Sequence, residues 1–188
     1  SAALLLSIYL CHNQAMRLAW ATDLHLDMLT SAEVVHFARS VLPCDAFVLT
    51  GDVSVASCVV GHLDLLAKTA KPPLFVLGNH DFYGGAITSV RDEMRALPAA
   101  SGHWLPGRAP HRLADDWVCT GVDGFGDARA GNVEGSEVRL SDFNHIDDLK
   151  GLSRSALHGR LRELGEAEAQ LATSKLTQAA GIASNILF

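Results

Sequence analysis

Four cysteines occur in 188 residues, at 11, 44, 58 and 119, and no two of them form a C-x-x-C pair. Spacing this loose argues against a disulfide framework. Scattered thiols in a chain of this length fit buried side chains in a reducing compartment, so a cytoplasmic setting is expected. Positive charge is in deficit: 15 Lys and Arg stand against 21 Asp and Glu, a net −6, which argues against a nucleic-acid surface as the main feature. There is no internal repeat and no low-complexity linker. The opening stretch SAALLLSIYLC is too short to span a bilayer. No Lys or Arg precedes it and no A-x-A site follows it, so it is not an intact export signal either. Met16-Arg17-Leu18 reads as a more natural start. Residues 1–15 are therefore read as an appended lead-in segment, with an extra strand or a degraded export signal as the alternatives. No membrane partner is expected.

Nearly half of the residues (48%) are apolar and 19% are charged, enough to bury the core of one domain, which is placed over residues 16–188. Four short apolar runs each end in acid, glycine or amide: Leu18–Asp23, Ala46–Asp52, Leu74–Asn79 and Trp117–Asp123. Runs of this kind suit strands buried on both faces. Between them lie helical patterns. Thr30-Ser31-Ala32-Glu33 can form a capping box, followed by Val34, Phe37, Ala38, Val41 and Leu42 at helical spacing. Val59, Leu63, Leu66 and Ala70 mark a second helix, stopped by Pro72-Pro73, and Ile87, Val90, Met94 and Leu97 a third, stopped by Pro98. The alternation of strand and helix predicts an α/β fold, whose ligands gather beyond the carboxyl ends of the strands. Residues 121–136, rich in Gly and Asp, read as a long loop over those ends. A long amphipathic helix is expected over Ser155–Ala180, burying Leu157, Leu161, Leu164, Leu171 and Leu176, with Gly181 ending it.

The strand ends carry the chemistry. They supply Asp23-x-His25, Gly51-Asp52 and Gly78-Asn79-His80-Asp81. Asp23 to Asp52 is 29 positions and Asp52 to Asn79 is 27, each about one βαβ step, so the three groups can converge on one sheet edge. On an extended segment Asp23 and His25 point the same way and can chelate one ion. Carboxylate, imidazole and amide oxygen together suit Mn²⁺, Fe²⁺ or Zn²⁺. A lone D-x-H or G-D is an everyday turn, but three such groups in order, each ending a strand, are hard to explain by packing.

The order D-x-H, G-D, G-N-H-D resembles the calcineurin-like metallophosphoesterases, hydrolases of phosphate esters with two metal ions. The likeness covers residues 17–125 by motif and extends more faintly through Ser141-Asp142-Phe143, as in some bacterial members. It implies a metallophosphoesterase-type αββα sandwich in which two divalent ions (Mn, Fe or Zn) share a bridging aspartate. Carried over position by position, it makes Asp23 and His25 ligands of the first ion, Asp52 the bridge and Asn79 a ligand of the second. His80 would be the catalytic group, protonating the leaving oxygen, and Asp81 would orient its neighbours. The substrate implied is a phosphomonoester or phosphodiester.

The chain also departs from that pattern. The family's closing G-H-x-H has no counterpart: Gly102-His103-Trp104-Leu105 begins like it, but a leucine replaces the second histidine and the position is too early. His145 and His158 read as surface histidines. Ile186-Leu187-Phe188 reads like the start of a further strand, so the sandwich is expected to be incomplete at its C-terminal end, residues 16–188 forming the N-terminal portion of the domain. Gly51-Asp52-Val53-Ser54 lacks the Asp-Arg pair of the phosphoprotein phosphatases. Two rival readings stand beside hydrolysis. One is a non-catalytic remnant with weak or no metal binding; the other is a nuclease-type member, which the acidic balance disfavours.

Overall fold

The computed structural model describes residues 3–10, 14–130, 132 and 135–188, so Cys11 and positions 131, 133 and 134 of the Gly/Asp-rich loop lie outside the described residues. Strands β2 (Gln14–Ala21), β3 (Ala46–Thr50), β4 (Leu74–Val76) and β5 (His103–Trp104) lie side by side in chain order and pair in parallel. Helices α1 (Ser31–Ser40), α2 (Val59–Thr69) and α3 (Ile87–Ala96) make the crossovers. Right-handed crossovers between strands laid down in chain order put every helix on the same face. The core composition agrees. Ala19, Phe47, Leu49 and Phe75 pack with Val34, Leu63 and Val90 from the three helices. Their strand neighbours Leu18, Ala46, Val48 and Leu74 point the other way, toward Leu105 and Cys119. A period of two applied to strands that are apolar throughout thus builds two cores, one on each face. Fully burying Phe47 or Phe75 contributes about 1.5–3 kcal/mol relative to exposure.

The opposite face is covered by a smaller sheet of β6 (His111–Ala114), β7 (Trp117–Cys119) and β8 (Asn185–Leu187), with β6 antiparallel and β8 parallel to β7. After the one-turn helix α4 (Asp142–His145), α5 (Arg154–Ala180) starts against the helix-side core through Leu157, Leu161 and Leu164. Farther along, Ala179 packs with Val118 of β7. Its 27 residues cover roughly 40 Å, enough to pass from the helix-side core to the outer face of the second sheet. The layers therefore run helix, sheet, sheet, helix, the mixed α/β sandwich expected.

Local details follow the sequence closely. The Thr30/Glu33 capping box forms: Thr30 N donates to Glu33 Oε2 at 2.8 Å, and Glu33 N donates to Thr30 Oγ1 at 3.4 Å. α2 stops before Pro72-Pro73, α3 stops before Pro98, and Gly181 caps α5. Ala3–Leu10 forms strand β1, paired antiparallel with β2 from Ala3 opposite Ala21 to Leu10 opposite Gln14. Two readings need correction. Leu42 is exposed, because α1 ends at Ser40 and the chain has left the helical path. Leu176 is also exposed, while Glu168 and Lys175 take the buried side of α5, where both have polar partners. Cys44 and Cys119 are buried free thiols and Cys58 a half-buried one. Among the described residues, no helix is long and apolar enough to cross a membrane.

Candidate metal centre

Beyond the strand ends the backbone leaves extended geometry. Asp23, His25 and Asp52 take left-handed conformations, with φ of 52°, 45° and 51°. Such φ values are uncommon outside glycine and collect at functional sites. Asp23 and His25 therefore do not lie on an extended segment. The D-x-H loop instead runs beside the G-D loop, with Asp23 N donating to Gly51 O, His25 N to Asp52 O and Leu26 N to Val53 O. The next loop presses against the second one. A Cβ on Gly78 would lie 2.1 Å from Asp52 Oδ1 and 2.6 Å from Asp52 N, and one on Gly51 would meet Gly78 N at 2.7 Å. Only glycine lets these strand ends approach so closely.

This approach gathers His25, Asp52 and His80, whose ligand atoms all lie within 4.8 Å of one another. The His25 and His80 rings meet edge to face at 4.5 Å between centroids. His80 N donates to Asp52 Oδ1 at 3.0 Å, fixing the carboxylate against the third loop. Among the described residues, Nδ1 of His25 is buried without a hydrogen-bond partner. A buried polar nitrogen left unpaired costs about 1–3 kcal/mol. A divalent cation beside the His25 imidazole and the Asp52 carboxylate could relieve that nitrogen, and imidazole with carboxylate is a donor set that fits a borderline metal ion.

The other expected residues surround this group. Asp81 is fully buried behind it, accepting from Ser54 N and Gly78 N at 2.8 Å each, and so ties the second and third loops together. Burial, opposed by those backbone hydrogen bonds, pushes its pKa up to about 7. Ser54, also buried, bonds through Oγ to His62 Nδ1 at 2.8 Å. Asp23 is exposed, lies outside the clustered group, and accepts from Thr22 Oγ1 at 2.6 Å.

Asn79 lies next to the cluster and is already engaged. Its Nδ2 donates to Asp142 Oδ1 at 2.7 Å. Tyr83 OH donates to the same oxygen at 2.6 Å. A carboxylate only accepts, so the amide must face Asp142 with its nitrogen, which leaves Oδ1 of Asn79 turned away. Tyr83 stacks on His80 at 4.2 Å and on His145 at 5.0 Å. Burial, followed by the bond to Asp142, pushes the Tyr83 hydroxyl up to about 12. Reading the sequence for strand-end ligands missed Asp142, Tyr83 and His145. Asp142 reaches Asn79 from 63 positions away, and the Ser141-Asp142-Phe143 run was its one trace.

The Gly/Asp-rich loop does border the site. Asp123 anchors it: its side chain, 1% exposed, accepts from Leu77 N at 2.8 Å and from Trp104 Nε1 at 3.0 Å, and pairs with Arg91. Burial raises its pKa, against the pull of the Arg91 guanidinium. Arg91 also pairs with Glu168, which accepts from Gly124 N and so joins α3, the loop and α5. Beyond this anchor an open cavity of about 550 Å³ is lined by Asn79, Tyr83, Phe125, Leu140 and Asp142 among others.

A family model described as calcineurin-like phosphoesterase matches residues 16–167 of the chain. No curated protein and no solved structure matches it.

Proposed function

The chain belongs to the calcineurin-like phosphoesterase family, and from that premise we propose that its chemistry is metal-dependent hydrolysis of a phosphomonoester or phosphodiester. The observations that support the reading are the convergence of His25, Asp52 and His80 and, on the same His25 ring, a buried Nδ1 without a partner among the described residues. Asp23, His25 and Asp52 would hold one ion, and Asp52 and the free Oδ1 of Asn79 a second, of Mn, Fe or Zn. When bound, such ions neutralise phosphate oxygens and lower the pKa of water, the two things that hydrolysis of an anionic ester requires. His80 would give a proton to the departing oxygen, and Asp81 would hold the loops that present Asp52 and Asn79. General-acid help of this kind contributes about 10²–10⁴-fold. The free cysteines fit a cytoplasmic setting. The acidic balance disfavours a nucleic-acid substrate, and a salt-dependent DNA-binding assay tests that.

A second reading draws on the engaged donors. Asp23 is turned to Thr22, and the Asn79 amide is bonded to Asp142. The second ion would have two protein donors, one of them a neutral amide. On this reading residues 1–188 hold at most one ion weakly and show no appreciable turnover. Metal analysis after dialysis against Mn²⁺, with a chromogenic phosphate ester as substrate, separates the two. Two firmly held ions with robust turnover exclude the weak-binding reading; no ion at all excludes hydrolysis.

A further inference from the structure

The cavity beside Asn79 has a composition that the reaction itself does not explain. Its lining takes in Gly78 and Asn79 at the site, and Phe82, Tyr83, Phe125 and Asp142 beyond it. No lining residue is basic, and the single formal charge is the Asp142 carboxylate. A pocket built to receive further phosphate or carboxylate would present Lys, Arg or an array of free N–H donors. This one presents the half-buried Phe125 ring, the Tyr83 edge and an acid. The Phe125 ring lies 5.5 Å from that of Phe82, which is fully buried and holds it in place. Tyr83 is held from both sides by His80 and His145. Both hydrogen bonds to Asp142 end on Oδ1, and Oδ2 has no partner among the described residues.

We propose that this cavity seats the leaving group of the ester, and that it selects an alcohol with an apolar body and a cationic ammonium group. The inference rests on the hydrolase reading of the adjoining site. The cavity begins at Gly78 and Asn79, where the third loop abuts Asp52, so a phosphate held at the strand ends places its ester substituent toward Tyr83 and Phe125. The half-buried Phe125 ring, the one aromatic face of the lining not already covered by a stacked ring or full burial, attracts a cation through its quadrupole, by about 0.5–2 kcal/mol depending on desolvation. The free oxygen of Asp142 supplies the matching charge. The same carboxylate repels an anionic leaving group, which makes the pocket selective as well as receptive.

The test uses the metal-free chain and probes of one shape and opposite charge, benzylammonium and benzoate, followed by chemical-shift changes at Gly124, Phe125 and Tyr83. Benzylammonium should saturate these shifts with an affinity at least tenfold above that of benzoate. Asp142→Asn, which keeps the size of the side chain and an oxygen for Tyr83, should abolish the preference. Phe125→Ala, on the loop, should weaken both probes and serves where the first variant does not fold. Equal affinities, a preference for benzoate, or shifts confined to other regions overturn the proposal. A Mn²⁺ titration of the same samples judges the reading beneath it separately. Selective benzylammonium binding in a chain that takes up no Mn²⁺ leaves a cation-binding pocket and removes its role in hydrolysis.

Discussion

The two flanks of the strand-end site satisfy their polar atoms in opposite ways. On one, His25, Asp52 and His80 crowd their ligand atoms within 4.8 Å, and a buried imidazole nitrogen has no partner. On the other, Asn79, Tyr83 and Asp142 complete one another with hydrogen bonds of 2.6–2.7 Å to a shared oxygen. The first flank leaves donor atoms that a cation could satisfy. The second is satisfied by its own hydrogen bonds, which turn the nitrogen of Asn79 toward Asp142 and hold the ring against which His80 stacks. Sequence proximity hides this division, because Asn79 and His80 are adjacent and yet serve different flanks.

The comparison is most easily broken at Gly78. In Gly78→Ala the new methyl group would stand 2.1 Å from Asp52 Oδ1, on backbone that cannot retreat. Overpacking of this kind costs about 1–3 kcal/mol. Mn²⁺ affinity should fall at least tenfold, read by urea unfolding alongside a Mn²⁺ titration. Unchanged affinity would show that the clustered flank is not where the ion sits. The next largest effect is on His80. His80→Ala should leave Mn²⁺ content nearly unchanged, and where turnover is measurable should lower kcat by about 10²-fold or more on esters with poor leaving groups. Loss of metal would make His80 a ligand, as its place in the cluster permits.

The second flank is sharpened by Asp142→Asn. Removing the charge should bring the Tyr83 hydroxyl down from about 12, part of the way to its ordinary 10.0, because burial remains the larger cause. An ultraviolet titration follows it, and an unmoved transition would detach Asp142 from the ring. The smallest effect lies far from both flanks. Hydrogen bonds from Thr30 hold the exposed Glu33 carboxyl below its usual 4.5. The capping contribution is therefore complete above that value and is lost as pH falls through the lowered one. The difference in unfolding midpoint between the wild type and Glu33→Gln should vanish at acid pH, with Mn²⁺ affinity at neutral pH equal in the two.

Much of the first sheet was legible because its signals are local. Apolar runs, the capping box and the prolines specify β2 to β4 and α1 to α3 within windows of a few residues. The strand-end motifs were legible for the same reason. What escaped was non-local or depended on backbone hand. Nothing near Asp142 announces that it meets Asn79, and nothing in Asp-Leu-His announces two left-handed residues. Leu176 misled because amphipathic reasoning sorts by hydropathy, while α5 spends buried positions on Glu168 and Lys175. Glu168 is paired with Arg91, and Lys175 donates to Arg108 O. The leading segment left its alternatives open, because apolar composition without flanking signals fits a lead-in as well as the edge strand that Ala3–Leu10 forms.

The pairing of β7 with β8 has a consequence for how the molecule comes together. Trp117 lies opposite Asn185, so this ladder closes across sixty-eight positions, with the whole of α5 between its strands. The parallel pairs from β2 to β5 need the chain only as far as Trp104. A ribosome therefore releases everything required for the helix-side crossovers well before it releases β8, and contacts between distant positions form slowly. During that interval the face bearing Leu18, Val48 and Leu74 lacks part of its cover, since Leu187 of β8 packs against it. Apolar surface exposed in this way is what chaperones bind and what aggregation starts from. The layer that carries the strand-end loops can thus be assembled while the layer behind it is still open.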